Sequence, residues 1–139
     1  MKYPATMATS SIRKTSNSSV SVTQADARFR LRIRKGDLLA IGPGKVALLE
    51  AIAEHGSISA AARDLGMSYR RAWLLIDELN RALAEPATHS GPGGASGGGS
   101  TLTPVGQRIV ALYRDIETRA QAACAEQIRE LTGLMNHDG

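Results

Sequence analysis

The sequence predicts a mainly α-helical fold with a small β component, and three features carry this prediction. Between residues 43 and 84, apolar side chains recur at helical spacing. Gly56 and Gly66 interrupt this pattern, so three helices are expected rather than one. A glycine-rich segment follows, and Thr103 and Pro104 then begin another long apolar-periodic stretch. Two short helices joined at Gly66, with a hairpin after the second, are typical of a winged helix-turn-helix.

Composition and charge exclude several classes of protein. The 42% hydrophobic and 22% charged content is that of a soluble globular protein, and no apolar run is long enough to span a membrane. Cys124 is the only cysteine, which rules out an internal disulfide and a cysteine-based zinc site and favours the cytoplasm. His55, His89 and His137 share no ligand spacing. We therefore expect no metal, no cofactor and no enzymatic activity.

Basic residues concentrate towards the amino terminus. Eight basic residues and one acidic residue lie at or before Gly36, whereas nine basic and twelve acidic residues follow it. Residues 1–25 are basic, rich in Ser and Thr and free of acidic residues, which predicts a disordered tail. The next stretch, "RFRLRIRK", alternates strictly and predicts a half-buried strand with Phe29, Leu31 and Ile33 on its apolar face. Its basic face, including Arg30 and Arg32, points either to DNA or to water.

The first two helices are predicted from their apolar stripes and end signals. The first runs from Pro43 to His55, and Gly56 ends it. Its apolar residues are Val46, Leu48, Leu49, Ile52 and Ala53. Ser59 is a good N-cap for a second helix that runs from residue 60 to Leu65. Ala61 and Ala62 allow this helix to approach the next one closely, while Leu65 and Met67 fill the corner between them.

The third helix, residues 68–84, is the candidate recognition helix. Ser68 caps it, and its buried face consists of Ala72, Ile76, Leu79 and Leu83. Its exposed first turn carries Tyr69, Arg70 and Arg71. The arginines can pair with guanine edges or phosphates, and the tyrosine can stack on sugars or donate a hydrogen bond. Trp73 either packs against the preceding helix or lies along a sugar-phosphate backbone.

Residues 86–103 are the candidate wing. Before the glycines, Thr88 is the only β-branched residue, so the first strand of the hairpin is expected to be weak and the wing mobile without DNA. Backbone N–H groups, at Gly97 and Gly98 among others, are candidates for phosphate contact because the wing lacks lysine and arginine. The glycines do not match the spacing of a nucleotide-binding loop.

The stretch from residue 104 to 135 predicts one long helix. Apolar residues recur at alternating three- and four-residue spacing, a pattern typical of a helix–helix seam. The seam residues are Ile109, Leu112, Ile116, Ala120 and Ala123. A stripe this long exceeds what a small domain can cover, so we expect a homodimer.

The order of these parts resembles the amino-terminal DNA-binding region of the ModE family of molybdate-responsive transcriptional regulators and, more distantly, the LysR winged helix. The motifs that carry the resemblance are "GSIS", "LGMSYRRAW", "DELN", "GGGSTLTPVG" and "LY", within about residues 28–120. The resemblance implies a bacterial homodimeric regulator, repressor or activator, that binds double-stranded DNA through residues 26–103. It implies that Ser68, Tyr69, Arg70, Arg71 and Trp73 face the DNA, and Ser59 is a further candidate contact.

Two other functions are weighed against DNA binding. A winged-helix protein–protein module is favoured by the uncharged wing and by the net negative charge after Gly36. An oxyanion-responsive regulator or carrier is suggested by the molybdate-binding part of ModE proteins. That part would need well over a hundred more residues after this region, and no strand pattern follows Pro104, so a molybdate ligand is not expected.

Overall fold

The computed structural model describes residues 25–91 and 98–136. In chain order the elements are β1 (Ile33–Lys35), β2 (Leu38–Ile41), α1 (Pro43–His55), α2 (Ile58–Leu65), α3 (Tyr69–Ala82), β3 (Thr88–Ser90), β4 (Ser100–Leu102), α4 (Pro104–Ala123) and α5 (Ala125–Gly133). The strands form two separate antiparallel pairs, β1–β2 and β3–β4. This order is that of a winged helix-turn-helix and confirms the predicted fold class.

The elements from β1 to α4 belong to one compact unit, residues 28–124. The described residues outside this unit are 25–27 and 125–136. They include α5, in which no residue is buried. Apart from residue 25, the predicted tail of residues 1–25 lies outside the described part of the chain, and its disorder stays a prediction.

The core of the compact unit is built around α1. Val46, Leu48, Leu49 and Ile52 are fully buried, as the apolar stripe predicts. Ala53 is exposed and Ala51 is buried instead, so the stripe lies slightly to one side of the predicted one. The core is completed by α2 and α3 through Ala61, Ala62, Ala72, Ile76 and Leu79. These alanines let the backbones of α2 and α3 approach closely, because a methyl group is all that separates them.

The second helix begins earlier than the sequence predicts. Ser57, not Ser59, is the N-cap, and its hydroxyl oxygen accepts a hydrogen bond from the amide of Ala60 (3.0 Å). Gly56 ends α1 in a left-handed conformation with φ of 82°, so the chain reverses within two residues. Ile58 packs against the core, which places it in the first turn of α2. Ser59 therefore lies one residue inside the helix with an exposed side chain.

The predicted half-buried strand forms only in part. β1 covers three residues and has an irregular register beside Ile33, whose side chain is 44% exposed. Residues 28–32 have no regular structure. The Tyr113 hydroxyl of α4 donates a hydrogen bond to the Leu31 carbonyl (2.9 Å), so a side chain occupies an acceptor that a neighbouring strand would otherwise use. Phe29 is also exposed, and the predicted apolar face is therefore wrong at two of its three residues.

The wing does form a hairpin, although its first strand has poor β propensity. Thr88 pairs with Leu102, His89 with Thr101 and Ser90 with Ser100. Side chains anchor the base of this hairpin. The Asn80 side chain of α3 accepts a hydrogen bond from the Ala87 amide (2.8 Å) and donates one to the Thr88 hydroxyl (3.3 Å). Tertiary contacts thus compensate for the weak local preference.

The predicted helix of residues 104–135 is two helices in the structure. α4 ends at Ala123, and Cys124 has φ of −107° and ψ of 12°, outside the helical range. The Cys124 amide still donates to the carbonyls of Ala120 and Ala122, which closes the last turn of α4. No glycine or proline marks this position, so residue types alone do not reveal the break.

Replacing Gly106 by alanine is expected to destabilise the fold. Gly106 is buried in α4, and an added Cβ atom would lie 2.2 Å from the Ala87 carbonyl oxygen at the base of the wing. Backbone must move to relieve this overlap, so we expect a loss of about 1–3 kcal/mol in the free energy of unfolding. Urea denaturation followed by circular dichroism measures the loss.

Gly44→Ala is the matched control for this substitution. Gly44 is in the first turn of α1, and an added Cβ atom would meet nothing within 4 Å. Alanine there is expected to leave stability unchanged or raise it by up to about 1 kcal/mol, because it favours the helix. Equal unfolding midpoints for the two variants would contradict the close packing of Gly106 on Ala87.

Candidate nucleic-acid interface

The turn between α2 and α3 is closed by Gly66. Its φ of 70° is left-handed, and its amide donates hydrogen bonds to the carbonyls of Ala62 and Arg63. The Met67 amide also donates to the Ala62 carbonyl (2.9 Å), and the Met67 side chain packs against the core. Leu65, predicted to fill the same corner, is 37% exposed, so Met67 fills it without Leu65. Gly66 is needed because other residues rarely adopt this conformation.

The first turn of α3 presents polar and aromatic side chains to solvent. The Ser68 hydroxyl oxygen accepts a hydrogen bond from the Arg71 amide (3.1 Å) and so caps the helix as predicted. Tyr69 is 55% exposed, and Arg70 and Arg71 are both exposed. Within the described residues, neither arginine is paired with a carboxylate. Two unpaired guanidinium groups at a capped helix start can therefore bind external phosphates or base edges.

A groove of about 680 Å³ lies beside this turn and joins three parts of the fold. Tyr69 and Trp73 of α3 form one side. The junction of α1 and α2 forms a second side, which consists of His55, Gly56, Ser57, Ile58 and Ser59. The wing forms the third side through Ser90, Gly98, Gly99 and Ser100. Trp73 is 47% exposed, so it lies in the groove with half of its surface open. The wing is fixed against the groove floor because the Ser100 amide donates to the Gly56 carbonyl (2.8 Å).

Hydrogen bonds at the wing base also couple the wing to α4. Thr103 caps α4 by accepting from the Gly106 amide (3.1 Å), and its hydroxyl donates to the Pro86 carbonyl (2.7 Å). The Thr103 amide donates to the Ala87 carbonyl (2.8 Å). One threonine therefore closes the wing and starts the helix that follows it.

Two ion pairs hold the helices that support the interface. Lys45 of α1 is 4% exposed; its ammonium group donates to the Leu39 carbonyl and pairs with Glu78 of α3 (3.0 Å). Arg114 of α4 forms a bidentate pair with Glu50 of α1 (2.6 and 2.8 Å). The hydrogen bond with Glu50 is the main reason that the pKa of Arg114 is raised. Both pairs link helices that are distant in sequence.

The structure brings together most of the predicted DNA-binding residues. Ser59, Tyr69, Trp73 and Gly98 line the groove, while Ser68, Arg70 and Arg71 lie on the exposed first turn of α3. Gly97 lies outside the described residues. Arg30 and Arg32 do not line the groove. They lie near Tyr113 of α4, whose pKa is raised mainly by burial and is lowered in part by these two charges.

Sequence reasoning missed several residues of this site. Ser57, Ser90 and Ser100 line the groove, and Asn80 orients the wing. The sequence does indicate Ser57, because a serine directly after the glycine that ends α1 is a good N-cap for the next helix. The others depend on contacts between segments and have no local signature.

The predicted seam residues of α4 differ in exposure. Leu112 and Ile116 are each 45% exposed. Ile109 is partly buried and packs against the core, so only part of its surface is free for a second chain. Ala120 is half-buried and Ala123 is exposed. The buried side of α4 is formed by Gly106 and Tyr113, which the predicted stripe did not contain.

The fold and this interface define a class of DNA-binding domain. Residues 44–107 match the family described as bacterial regulatory helix-turn-helix protein, lysR family. The matched part of the chain is therefore a helix-turn-helix domain of the LysR type, a DNA-binding regulatory domain and not an enzyme. In the described residues, no helix is long and apolar enough to cross a membrane.

Within this class the chain is similar to ModE proteins and to a molybdenum-pterin-binding protein. It is 42% identical over 97 residues to the molybdenum transport protein ModE of Azotobacter vinelandii, covering 68% of this chain and 36% of that protein. It is 39% identical over 87 residues to the dual regulator ModE of Escherichia coli, with coverage of 63% and 33%. The molybdenum-pterin-binding protein MopB of Rhodobacter capsulatus is 49% identical over 77 residues, with coverage of 55% and 28%. These matches confirm the resemblance to ModE.

The similarity has a defined extent. The chain spans about a third of the length of the curated relatives that it matches, from 28% of MopB to 37% of the Yersinia pestis ModE. The shared part includes the helix-turn-helix, and the rest of each relative has no counterpart in the match. What the relatives do as whole proteins is therefore a proposal for this chain.

Proposed function

We propose that this chain is a ModE-like transcriptional regulator that binds operator DNA as a homodimer through α3. The observation that carries the proposal is the first turn of α3, where Arg70 and Arg71 are exposed and, among the described residues, unpaired, beside a groove lined by Tyr69 and Trp73. Arginines in this position can reach guanine edges in a major groove. DNA as a partner supports a cytoplasmic location.

The wing supports the proposal through its backbone. In the described part of the wing, residues 86–91 and 98–103, no side chain carries a fixed charge. The Gly98 position is open, since an added Cβ atom would meet nothing within 4 Å, and Gly98 borders the same groove as Tyr69. A sugar-phosphate backbone can therefore approach the wing main chain closely.

The homodimer is supported by the exposed side of α4. Leu112 and Ile116 lie one helical turn apart and are both almost half exposed. A second copy of α4 would cover them, and two recognition helices would then contact two half-sites of an operator. Ala120 and Ala123 continue the stripe with side chains small enough for close approach.

A salt titration tests DNA binding and separates it from the alternative, a protein–protein module that retains the fold. Fragments selected from genomic DNA by the purified protein supply the operator sequence. Its affinity, measured by fluorescence anisotropy, is expected to fall steeply with salt, with a slope of about −0.9 for each phosphate contact. A protein–protein module would select no sequence, and its weak binding to DNA would be the same for every duplex.

Molybdate is not expected to bind the 139-residue chain. A ligand that binds only the native state raises the melting temperature by mass action, by about 2.7 kcal/mol of stability at one hundred times its dissociation constant. We expect equal melting temperatures and equal operator affinities with molybdate, with sulfate as a control oxyanion, and without either. A rise specific to molybdate would make the chain an oxyanion-responsive regulator or carrier.

A further inference from the structure

Three arginines form an exposed basic cluster outside the groove. Arg30, Arg32 and Arg34, here called the hairpin arginines, are all exposed. In the described part of the chain, none of the three is paired with a carboxylate. Asp37 in the following turn is the nearest acidic residue in sequence after them, and it too is exposed. The three exposed guanidinium groups thus have Asp26 before them and Asp37 after them as the nearest acidic residues in sequence.

The segment that carries the hairpin arginines is fixed on both sides. The Leu31 carbonyl accepts the hydrogen bond of the Tyr113 hydroxyl (2.9 Å). The Lys35 ammonium donates to the Ala82 carbonyl at the end of α3 (3.1 Å). Between these anchors, Arg34 pairs with Leu39 of β2. The backbone of Arg32 and Arg34 is therefore held between two anchors, and Arg30 directly precedes the first, which lowers the entropy lost on binding.

The hairpin arginines and the groove lie at different ends of the helices. β2 leads directly into the start of α1, whereas His55 at the other end of α1 lines the groove. Lys35 meets α3 at Ala82, whereas Tyr69 at its start lines the groove. At 1.5 Å per residue, each helix separates its two ends by roughly 20 Å. The hairpin arginines are therefore separated from the first turn of α3 by about the length of one helix.

The recognition surface itself offers few cations for phosphates. Arg70 and Arg71 have no ion-pair partner in residues 25–91 and 98–136, whereas Arg81 farther along α3 is paired with Asp77 (2.6 Å). The described wing has no fixed charge. Phosphate contacts provide much of the affinity of DNA-binding proteins. Arg30, Arg32 and Arg34 lie in the same compact unit and are suited to supply phosphate contacts that the wing does not.

We propose that Arg30, Arg32 and Arg34 form a second DNA-binding surface, which contacts phosphates of the duplex flanking the operator half-site. This inference rests on the proposed function, because the flank reaches the cluster only when α3 holds the half-site. A separation of roughly 20 Å corresponds to somewhat more than half a turn of duplex at about 34 Å per turn. The contacts are to backbone, so they raise affinity without reading sequence and favour DNA that bends towards the domain.

Two operator duplexes and one triple variant test the proposal. The short duplex ends at the selected half-sites, and the long one extends each end by about two helical turns. The parent protein should bind the long duplex more tightly and with a steeper salt slope. In Arg30→Gln/Arg32→Gln/Arg34→Gln, binding to the short duplex should be unchanged. Its slope on the long duplex should become shallower by about 3 per domain, one contact for each arginine.

The control variant replaces the same three arginines by lysine. Lysine keeps the charge, so the length dependence should remain close to that of the parent. If the glutamine variant prefers the long duplex over the short one as strongly as the parent does, the second surface is refuted while the proposed function stands. If the parent protein shows no preference for any selected sequence, the proposed function fails first, and this inference fails with it. Equal melting temperatures establish that all variants are folded.

Discussion

Arg70→Ala and Arg71→Ala should each weaken operator binding by about 1–3 kcal/mol, and the double variant should lose the ability to select its operator. Both side chains are exposed on the first turn of α3 and form no ion pair within the described residues. Their removal therefore costs contacts with DNA rather than contacts within the fold. Fluorescence anisotropy with operator and scrambled duplexes measures the loss, and an unchanged melting temperature shows that the domain is intact.

The two arginines can be distinguished by how the loss depends on sequence and salt. If one contacts a guanine edge, its alanine variant should relax specificity at one base pair of the operator. If it contacts a phosphate, binding should weaken equally on all sequences and the salt slope should become shallower by about 0.9. Either result assigns a role to that residue.

Arg81→Ala is the charge-matched control on the same helix. Arg81 lies in the last turn of α3 and pairs with Asp77 (2.6 Å), so its charge is already compensated within the protein. We expect it to change operator affinity by less than either recognition arginine does. If Arg70→Ala/Arg71→Ala binds its operator as tightly as the parent, α3 does not read DNA through its first turn.

Leu112→Glu is expected to convert a dimer into a folded monomer. Leu112 is 45% exposed on α4, so the substitution disturbs little of the domain's own core. In a dimer it would place two carboxylates in an apolar seam, where an unpaired charge is strongly unfavourable. Light scattering at micromolar concentration should show half the mass of the parent protein.

The same variant should lose most of its operator affinity. Two linked half-sites gain about 10²–10⁴-fold in affinity over one when the geometry allows both to bind together. A monomer loses this gain and retains only weak binding of low specificity. A parent protein that is itself a monomer at micromolar concentration would rule out α4 as the seam, and Leu112 would then serve another surface.

Ala111→Glu provides the control for the dimer. Ala111 is exposed and lies about 200° around α4 from Ile109, on the side opposite the predicted seam. A carboxylate there should change neither mass nor operator affinity. If both variants become monomers, the seam involves more of the helix than Leu112 and its neighbours.

The sequence alone predicted α1 and most of α3. The bounds of α1, Pro43–His55, are those predicted, because proline favours the first turn and Gly56 can adopt the left-handed conformation that ends a helix. The cap at Ser68 and the buried face at Ala72, Ile76 and Leu79 were also correct, whereas α3 ends at Ala82 and Leu83, predicted on the same face, is its partly buried C-cap. These features depend on neighbours one to four residues apart, which a sequence displays directly.

Only the tertiary structure decided how these elements are joined. Of the strand predicted for residues 28–35, only Ile33–Lys35 forms, and the Leu31 carbonyl accepts from the Tyr113 hydroxyl instead. Asn80 supports the base of a wing whose first strand has only Thr88 as a β-branched residue. The contact of Gly106 with Ala87 and the groove shared by Trp73 and Gly98 join segments far apart in the chain. Such contacts leave no periodic pattern, because they depend on where distant segments meet in space and not on the preferences of a residue and its neighbours.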